Sequence, residues 1–200
     1  MFVALAIVWA VIGVPTEDAS ADGHLPIVYL TFDDGPSFDD VTASLLDVLA
    51  AYDVKATFFP IGNWLPRDPV TSQRLADEGH AIGNHSTTHP RLNLLTREEV
   101  ISELQGGQNL INAYTGVTPT CYRPPYGATS DEVRDAAASL GLIEWMWTLS
   151  TNDFDPASTT ASILAALERS VNPRRRHDDG RRGELVQHRG RAPPAGLAGG

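Results

Sequence analysis

Thr31-Phe32-Asp33-Asp34-Gly35-Pro36 closes the apolar run Ile27-Val28-Tyr29-Leu30, and the reading of the fold starts from this junction. The run is β-branched and aromatic, with Pro26 before it and Gly35-Pro36 after, and predicts a buried strand over about 26–32. Two adjacent carboxylates just past a buried strand repel one another and are costly there without a neutralising charge. Further along, Gly83-Asn84-His85-Ser86-Thr87-Thr88-His89-Pro90 offers two histidines four residues apart. Gly83-Asn84 and Pro90 place them on a tight turn rather than a long helix. Two imidazoles and one carboxylate fill half a metal coordination shell and leave positions for water and substrate. The second acid is then free to act as a base. An acidic pair alone is more often a solvated loop, and a lone His-x3-His a surface turn. Together, each after a strand, they outline a metal-dependent hydrolase.

Outward from that junction, strand-like and helix-like segments alternate. Val41, Leu45, Leu46, Val48 and Leu49 give a helical period within 39–51, and Ala56-Thr57-Phe58-Phe59 reads as a strand. A helix over 70–78 stops at Gly79, and the strand Ala81-Ile82-Gly83 leads into the histidines. Thr96-Arg97-Glu98-Glu99 is a capping box opening a helix to about Tyr114, with Gly116 beyond. Cys121-Tyr122 ends the next strand, Ser130 caps a helix over 131–140, and 143–149 is a strand. Asp155-Pro156 is expected to open a last helix running to about Ser170.

Repeated β-then-α units imply parallel strands with helices outside, as an open sheet or a barrel. Asp33-Asp34, His85, Arg123 and Asp153 each follow a predicted strand, so all fall at carboxyl ends, the face that carries active sites in such folds. Arg123-Pro124-Pro125-Tyr126-Gly127 is a stiff turn. Its prolines remove two N–H donors, leaving the Tyr126 and Gly127 amides expected to face a ligand as an oxyanion site. Arg123 is placed to orient the free carboxylate through a two-point contact. The alternative is a rigid structural turn with a surface arginine.

Thr-Phe-Asp-Asp-Gly-Pro, His-Ser-Thr-Thr-His and Arg-Pro-Pro-Tyr-Gly, in this order, resemble the motifs of the polysaccharide deacetylase family (carbohydrate esterase family 4) over about 26–173. The resemblance implies an α/β fold, a distorted (β/α) barrel, here expected to lack its last strand and helix. It implies removal of acetyl groups, N-acetyl foremost, from peptidoglycan, chitin or chitooligosaccharides. By motif, Asp33 resembles the catalytic base, and Asp34, His85 and His89 the ligands of a divalent metal, with zinc as the default and cobalt, nickel or manganese as alternatives. Arg123 resembles the residue steadying the base, and the Tyr126 amide part of the oxyanion site. The fourth family motif typically reads Trp-x-x-Asp-Thr-x-Asp-Trp. Trp147–Phe154 keeps its second acid as Asp153, the last candidate catalytic residue, but carries Ser150 and Phe154 at two familiar positions. Trp145 and Trp147 share a face and read as core before sugar-stacking platforms.

Composition bounds the partners. Of 200 residues, 42% are hydrophobic, enough for one domain with a core, and the net charge of −10 argues against nucleic acid and anionic lipid. The family resemblance implies an N-acetylated glycan as partner, and a monomer acting outside the cytoplasm is expected. Up to residue 173 there are 8 basic against 22 acidic residues, −14, and from 174 there are 7 arginines against 3 acids, +4. The stretch 174–200 lacks both hydrophobic periods. It is expected to be an irregular tail, which a shifted reading frame explains better than composition alone, and the 200-residue chain is therefore expected to fold poorly and work weakly. His177-Asp178 would be a remnant of the family's late general acid. Phe2–Val14, followed by Ala19-Ser20-Ala21, fits a signal peptide over 1–21, with an uncleaved membrane anchor as the alternative. Cys121, the single cysteine, is expected to be a buried, inert thiol. Two other functional classes stay open: a glycan-binding pseudoenzyme, and a two-histidine, one-carboxylate iron oxygenase, which Asp33 and the Pro-Pro-Tyr turn disfavour.

Overall fold

β1, Thr31–Asp34, pairs in parallel with β2, Thr57–Pro60, with Thr31 opposite Thr57 and Asp34 opposite Pro60. β3, Ala81–Ile82, adds in parallel to the far side of β2. A single parallel bridge, Asn84 to Tyr122, then carries the sheet over to β4, Cys121–Tyr122, which pairs with β5, Ile143–Glu144. These pairings belong to a computed structural model that describes residues 28–36 and 40–171. Spatial order therefore follows chain order without a reversal. A doubly wound sheet would reverse at a switch point, whereas continuous winding in one direction is how a (β/α) barrel is built. The arc also curls. The Arg123 Nη1, just past β4, donates to Thr31 Oγ1 on β1 at 2.8 Å across the interior.

Among the described residues five α-helices follow the strands: α1 Val41–Ala51, α2 Pro69–Asp77, α3 Arg97–Thr115, α4 Asp131–Ser139 and α5 Thr160–Val171. α3 organises the packing. Its buried stripe, Val100, Leu104, Gly107, Gln108, Ile111 and Thr115, recurs at helical spacing. Ile111 joins a core with Leu45, Leu46, Leu49, Phe58, Leu75 and Ile82. Val100 and Leu104 join a second core with Leu92, Tyr122, Val133, Ala136 and Leu142. One helix thus ties the first three strands to the last two. Its start is the capping box read from the sequence: Glu99 N donates to Thr96 Oγ1 and Thr96 N to Glu99 Oε2. Gly116 closes it at φ 72°, a left-handed turn that glycine adopts without strain.

Three elements differ from the sequence reading. β1 lies later than 26–32, because register against β2 makes Asp33 and Asp34 the last residues of the strand rather than the loop after it. β5 stops at Glu144 instead of Leu149. Among the described residues nothing pairs with its outer edge, and Trp145, Met146, Trp147 and Leu149 are left partly exposed, so the two tryptophans are not core. α5 begins at Thr160, not at Asp155-Pro156. The Asp155 carboxylate accepts from Ala157 N in a local turn, and Thr159 with Ser162 supplies the cap. Cys121 is only partly buried, and burial pushes its thiol up, away from reactivity. No helix among the described residues is long and apolar enough to cross a membrane. The 1–21 leader, the 174–200 tail and His177-Asp178 lie outside the described residues.

His80, just before β3, gives the fold a pH dependence of its own. It is 7% exposed, its Nδ1 accepts from Ala56 N at 3.2 Å, and its Nε2 has no partner. Burial holds it below its ordinary 6.5, with Glu78 opposing and Lys55 adding to the shift. The unfolded chain therefore binds more protons between the depressed folded value and 6.5. The neutral ring's contribution to stability is complete above about 6.5 and is lost as pH falls through the folded value. Urea midpoints between pH 7.5 and 5 should fall less steeply in His80→Gln than in the wild type. Parallel curves would refute this.

Candidate metal centre

Three side chains converge at the carboxyl end of the arc. Asp34 Oδ1 lies 3.3 Å from His85 Nε2 and 3.2 Å from His89 Nε2. All three donor atoms lie within 4.8 Å of one another. The backbone reaches this arrangement through unusual conformations. Asp34, Ser86, His89 and Tyr126 have φ of 73°, 65°, 67° and 58°, left-handed values that side-chain-bearing residues adopt at a cost and that cluster at functional sites.

The imidazole of His85 is 3% exposed, and its Nδ1 sits 2.7 Å from the Arg123 carbonyl oxygen. A carbonyl only accepts, so Nδ1 carries the proton. Nε2 then either binds a second proton and pairs with Asp34, or is bare and faces the same cation as the carboxylate. This is the arrangement of a metal-ligating histidine whose far nitrogen is held by a backbone carbonyl. Burial alone would raise the Asp34 carboxyl. The hydrogen bonds and charges of His85 and His89 outweigh it and hold the group well below the usual carboxylate range. One anionic oxygen and two imidazole nitrogens, so oriented, fit a divalent transition metal.

Beside this triad, Arg123 Nη1 donates to Asp33 Oδ1 at 2.6 Å and to Thr31 Oγ1, and Nε donates to the Trp145 carbonyl at 3.1 Å. Thr31 and Asp33 share one face of β1 by the two-residue strand period. The expected two-point contact between Arg123 and the acid is thus a single short hydrogen bond, because the other donors tie β1 to the end of β5. Arg123 is 2% exposed, and its guanidinium lies 4.1 Å from the centre of the Phe59 ring. The oxyanion expectation narrows as well. Gly127 N donates to Pro124 O at 3.0 Å, closing the turn, so of the two amides only that of Tyr126 stays a candidate. The Tyr126 ring lies tilted against the His89 ring with centroids 4.6 Å apart, and its hydroxyl lies 3.1 Å from His89 Nδ1. Asp153 is not brought to the cluster: it is exposed, and its carboxylate accepts from Thr151 Oγ1 at 2.7 Å.

The motifs in this geometry match the polysaccharide deacetylase family model over residues 21–145. The chain belongs to that family. It is 40% identical over 141 residues to peptidoglycan-N-acetylglucosamine deacetylase PgdA of Listeria monocytogenes, covering 69% of this chain and 29% of that protein. The chain therefore spans less than a third of that relative. A family 4 carbohydrate esterase from Streptomyces lividans, solved with acetate, superposes with a TM-score of 0.66 at 37% identity, covering 71% of this chain and 72% of that one. A family 4 pseudoenzyme from Bacillus anthracis superposes with a TM-score of 0.69 at 30% identity, covering 74% and 52%. These neighbours bear out the α/β fold and its reading as a deacetylase-type (β/α) barrel, of which the described residues form an arc.

Sequence reasoning missed the scaffold behind the deacetylase motifs. Asn84, fully buried, accepts from Ser86 N through Oδ1 and donates to Leu104 O through Nδ2, while its backbone bridges to Cys121 and Arg123. Its position before the first histidine was the only signal. The pairing to α3 is twenty residues away in sequence.

Proposed function

We propose that this chain is a metal-dependent deacetylase of N-acetylated glycans, with zinc as the resident metal and peptidoglycan or chitin-type chains as substrates. The observation that carries this reading is the convergence of Asp34, His85 and His89 on one point, with the Asp33–Arg123 pair beside it. A divalent metal held by the triad would polarise the acetyl carbonyl and acidify a water molecule. Asp33 takes the proton from that water, with Oδ1 anchored by Arg123 and the rest of the carboxylate left for the substrate side. The Tyr126 amide donates to the oxygen on which negative charge develops. Trp147, partly exposed and near Arg123, supplies an apolar wall for a sugar ring.

The leaving amine needs a proton. Among the described histidines only His80 is not a ligand candidate, and it sits at the amino end of β3, the end opposite to the carboxyl-end cluster. A histidine donor would therefore have to come from outside the described residues, and His177 is the candidate for it. Peptidoglycan and chitin lie beyond the cytoplasmic membrane, so we place the enzyme there, in agreement with the signal-peptide reading of 1–21. A complete ligand set and a retained base favour turnover over a glycan-binding pseudoenzyme.

Acetate release from N-acetylated chitooligosaccharides and from peptidoglycan fragments tests this. Activity is expected to vanish with a chelator and return with zinc or cobalt. Release that persists in chelator would overturn the metal mechanism, and glycan binding without release under any metal would establish the pseudoenzyme.

A further inference from the structure

The segment Ser86-Thr87-Thr88 joins the two ligand histidines, and nearly all of its polar groups are held by residues outside it. Two of its carbonyls are held by the turn after β2: Gly62 N donates to Ser86 O at 2.9 Å and Asn63 N to Thr87 O at 3.0 Å. Two of its three amides are held from α3 by one side chain, and the third, Ser86 N, donates to Asn84 Oδ1 at 2.8 Å. Thr87 N and Thr88 N donate to Glu103 Oε2 at 3.0 and 2.9 Å, and Thr88 Oγ1 donates to Glu103 Oε1 at 2.8 Å. Thr87 Oγ1 also donates to the Glu103 carbonyl at 2.7 Å. Ser86 Oγ accepts from the amide of His89, the residue that follows the segment, at 3.0 Å. Two consecutive glycines let the helix come this close. A Cβ on Gly106 would collide with Thr87 Oγ1, and one on Gly107 with Asn84 Oδ1. Glycine in mid-helix costs about 1 kcal/mol relative to alanine, and two in succession mark a place where close approach outweighs helix propensity.

We infer that Glu103 is a positioning residue of the metal centre: its carboxylate fixes the spacing and orientation of His85 and His89 by clamping the amides between them. This rests on the metal-site reading above. A carboxylate accepting two backbone N–H groups and a hydroxyl on the 86–88 turn holds that turn in one conformation, including the left-handed Ser86 and His89. Without it, the helix no longer sets where the second histidine points. Outer partners of this kind typically govern metal affinity by 10–100-fold. Glu103 touches neither substrate nor metal, so its effect passes entirely through the turn.

Cobalt titration of the full chain, read by visible absorption and by the melting temperature of the metal-free protein, tests the inference. Wild type is expected to bind one Co²⁺, and Glu103→Ala to bind it about 10–100-fold more weakly with an altered d–d spectrum. Glu103→Gln keeps an oxygen for the two amides, and its nitrogen can donate to the Thr88 hydroxyl, so near wild-type affinity and spectrum are expected. Wild-type affinity and spectrum in Glu103→Ala, even with a lowered melting temperature, would reduce Glu103 to a structural brace and overturn the inference. Failure of Glu103→Gln to rescue would do the same. If Glu103→Ala does not fold, Glu103→Asp draws the carboxylate back by one methylene while keeping its charge, and weakened cobalt binding is again expected. Undiminished binding in Glu103→Asp would overturn the inference. Asp34→Asn separates the two levels: cobalt bound by that variant as by the wild type would refute the metal site itself.

Discussion

His89→Ala should cost more than about 100-fold in metal affinity, exceeding the 10–100-fold typical of an outer partner, and should abolish acetate release with it. His89 is the cleaner choice of the two candidate ligand histidines. His85 is buried, and its Nδ1 proton satisfies the Arg123 carbonyl, so His85→Ala also leaves that acceptor without its donor, a cost of about 1–3 kcal/mol to the fold. The His89 side chain is more accessible, and its loss mainly frees the Tyr126 ring and hydroxyl. With one carboxylate and one imidazole left, the site falls below the three protein ligands that catalytic zinc ordinarily keeps. Metal affinity measured by competition with a chromophoric chelator, beside acetate release at saturating metal, decides the matter. Undiminished affinity in His89→Ala would mean that the Asp34–His85–His89 cluster is an ion-pair network and not a metal centre.

What was legible in the sequence divides along a physical line. Signals written in a few neighbouring residues came through: the Thr96–Glu99 capping box, the left-handed Gly116, the Ser130 cap of α4, and the His-x3-His turn. Ser130 Oγ accepts from Val133 N as its position before a helical run implied. Features fixed by partners far along the chain did not. β1 runs to Asp34 because Pro60 stands opposite, and no local pattern in 26–36 records that register. The apolar run after Ile143 reads as a strand by composition, yet an edge becomes a strand only where a neighbour supplies hydrogen bonds. Asp155-Pro156 is a sound helix start in isolation. The turn closed by the Asp155 carboxylate delays the helix until Thr159 and Ser162 can cap it.

The site shows the same division. Residue types and order singled out Asp34, His85 and His89, which the fold brings together, and the acid beside them, because metal-assisted hydrolysis would need those atoms whatever the fold. Their supports were hidden. Glu103 reads as one more acid on a solvated helix face, Thr31 as a strand residue, and the Trp145 carbonyl carries no sequence signal at all. Each acts through a contact that closes only when the arc curls, and Arg123 shows how much rests on that curl. A single guanidinium joins Thr31 and Asp33 on β1 to the carbonyl of Trp145 after β5. The arginine that orients the acid is thus also a strut across the interior.

Asp33→Asn should separate chemistry from metal binding. Asparagine has the volume of aspartate, and its amide oxygen can still accept from Arg123 Nη1, so the strut and the fold are expected to persist. The three ligands are untouched, and cobalt affinity should stay within about threefold of wild type, well inside the range that loss of an outer partner produces. The amide cannot take a proton from water at neutral pH. If Asp33 is the general base, acetate release should fall by about 10²–10⁴-fold in kcat, the range that a positioned acid or base contributes. KM should change little, since the side chain's hydrogen-bonding shape is kept. The pairing of results matters more than either alone: metal retained with turnover lost identifies a base, whereas both lost together would make Asp33 a fourth ligand or a support of Asp34. Turnover within a few-fold of wild type would move the base to another group and leave Asp33 only its structural tie to Arg123.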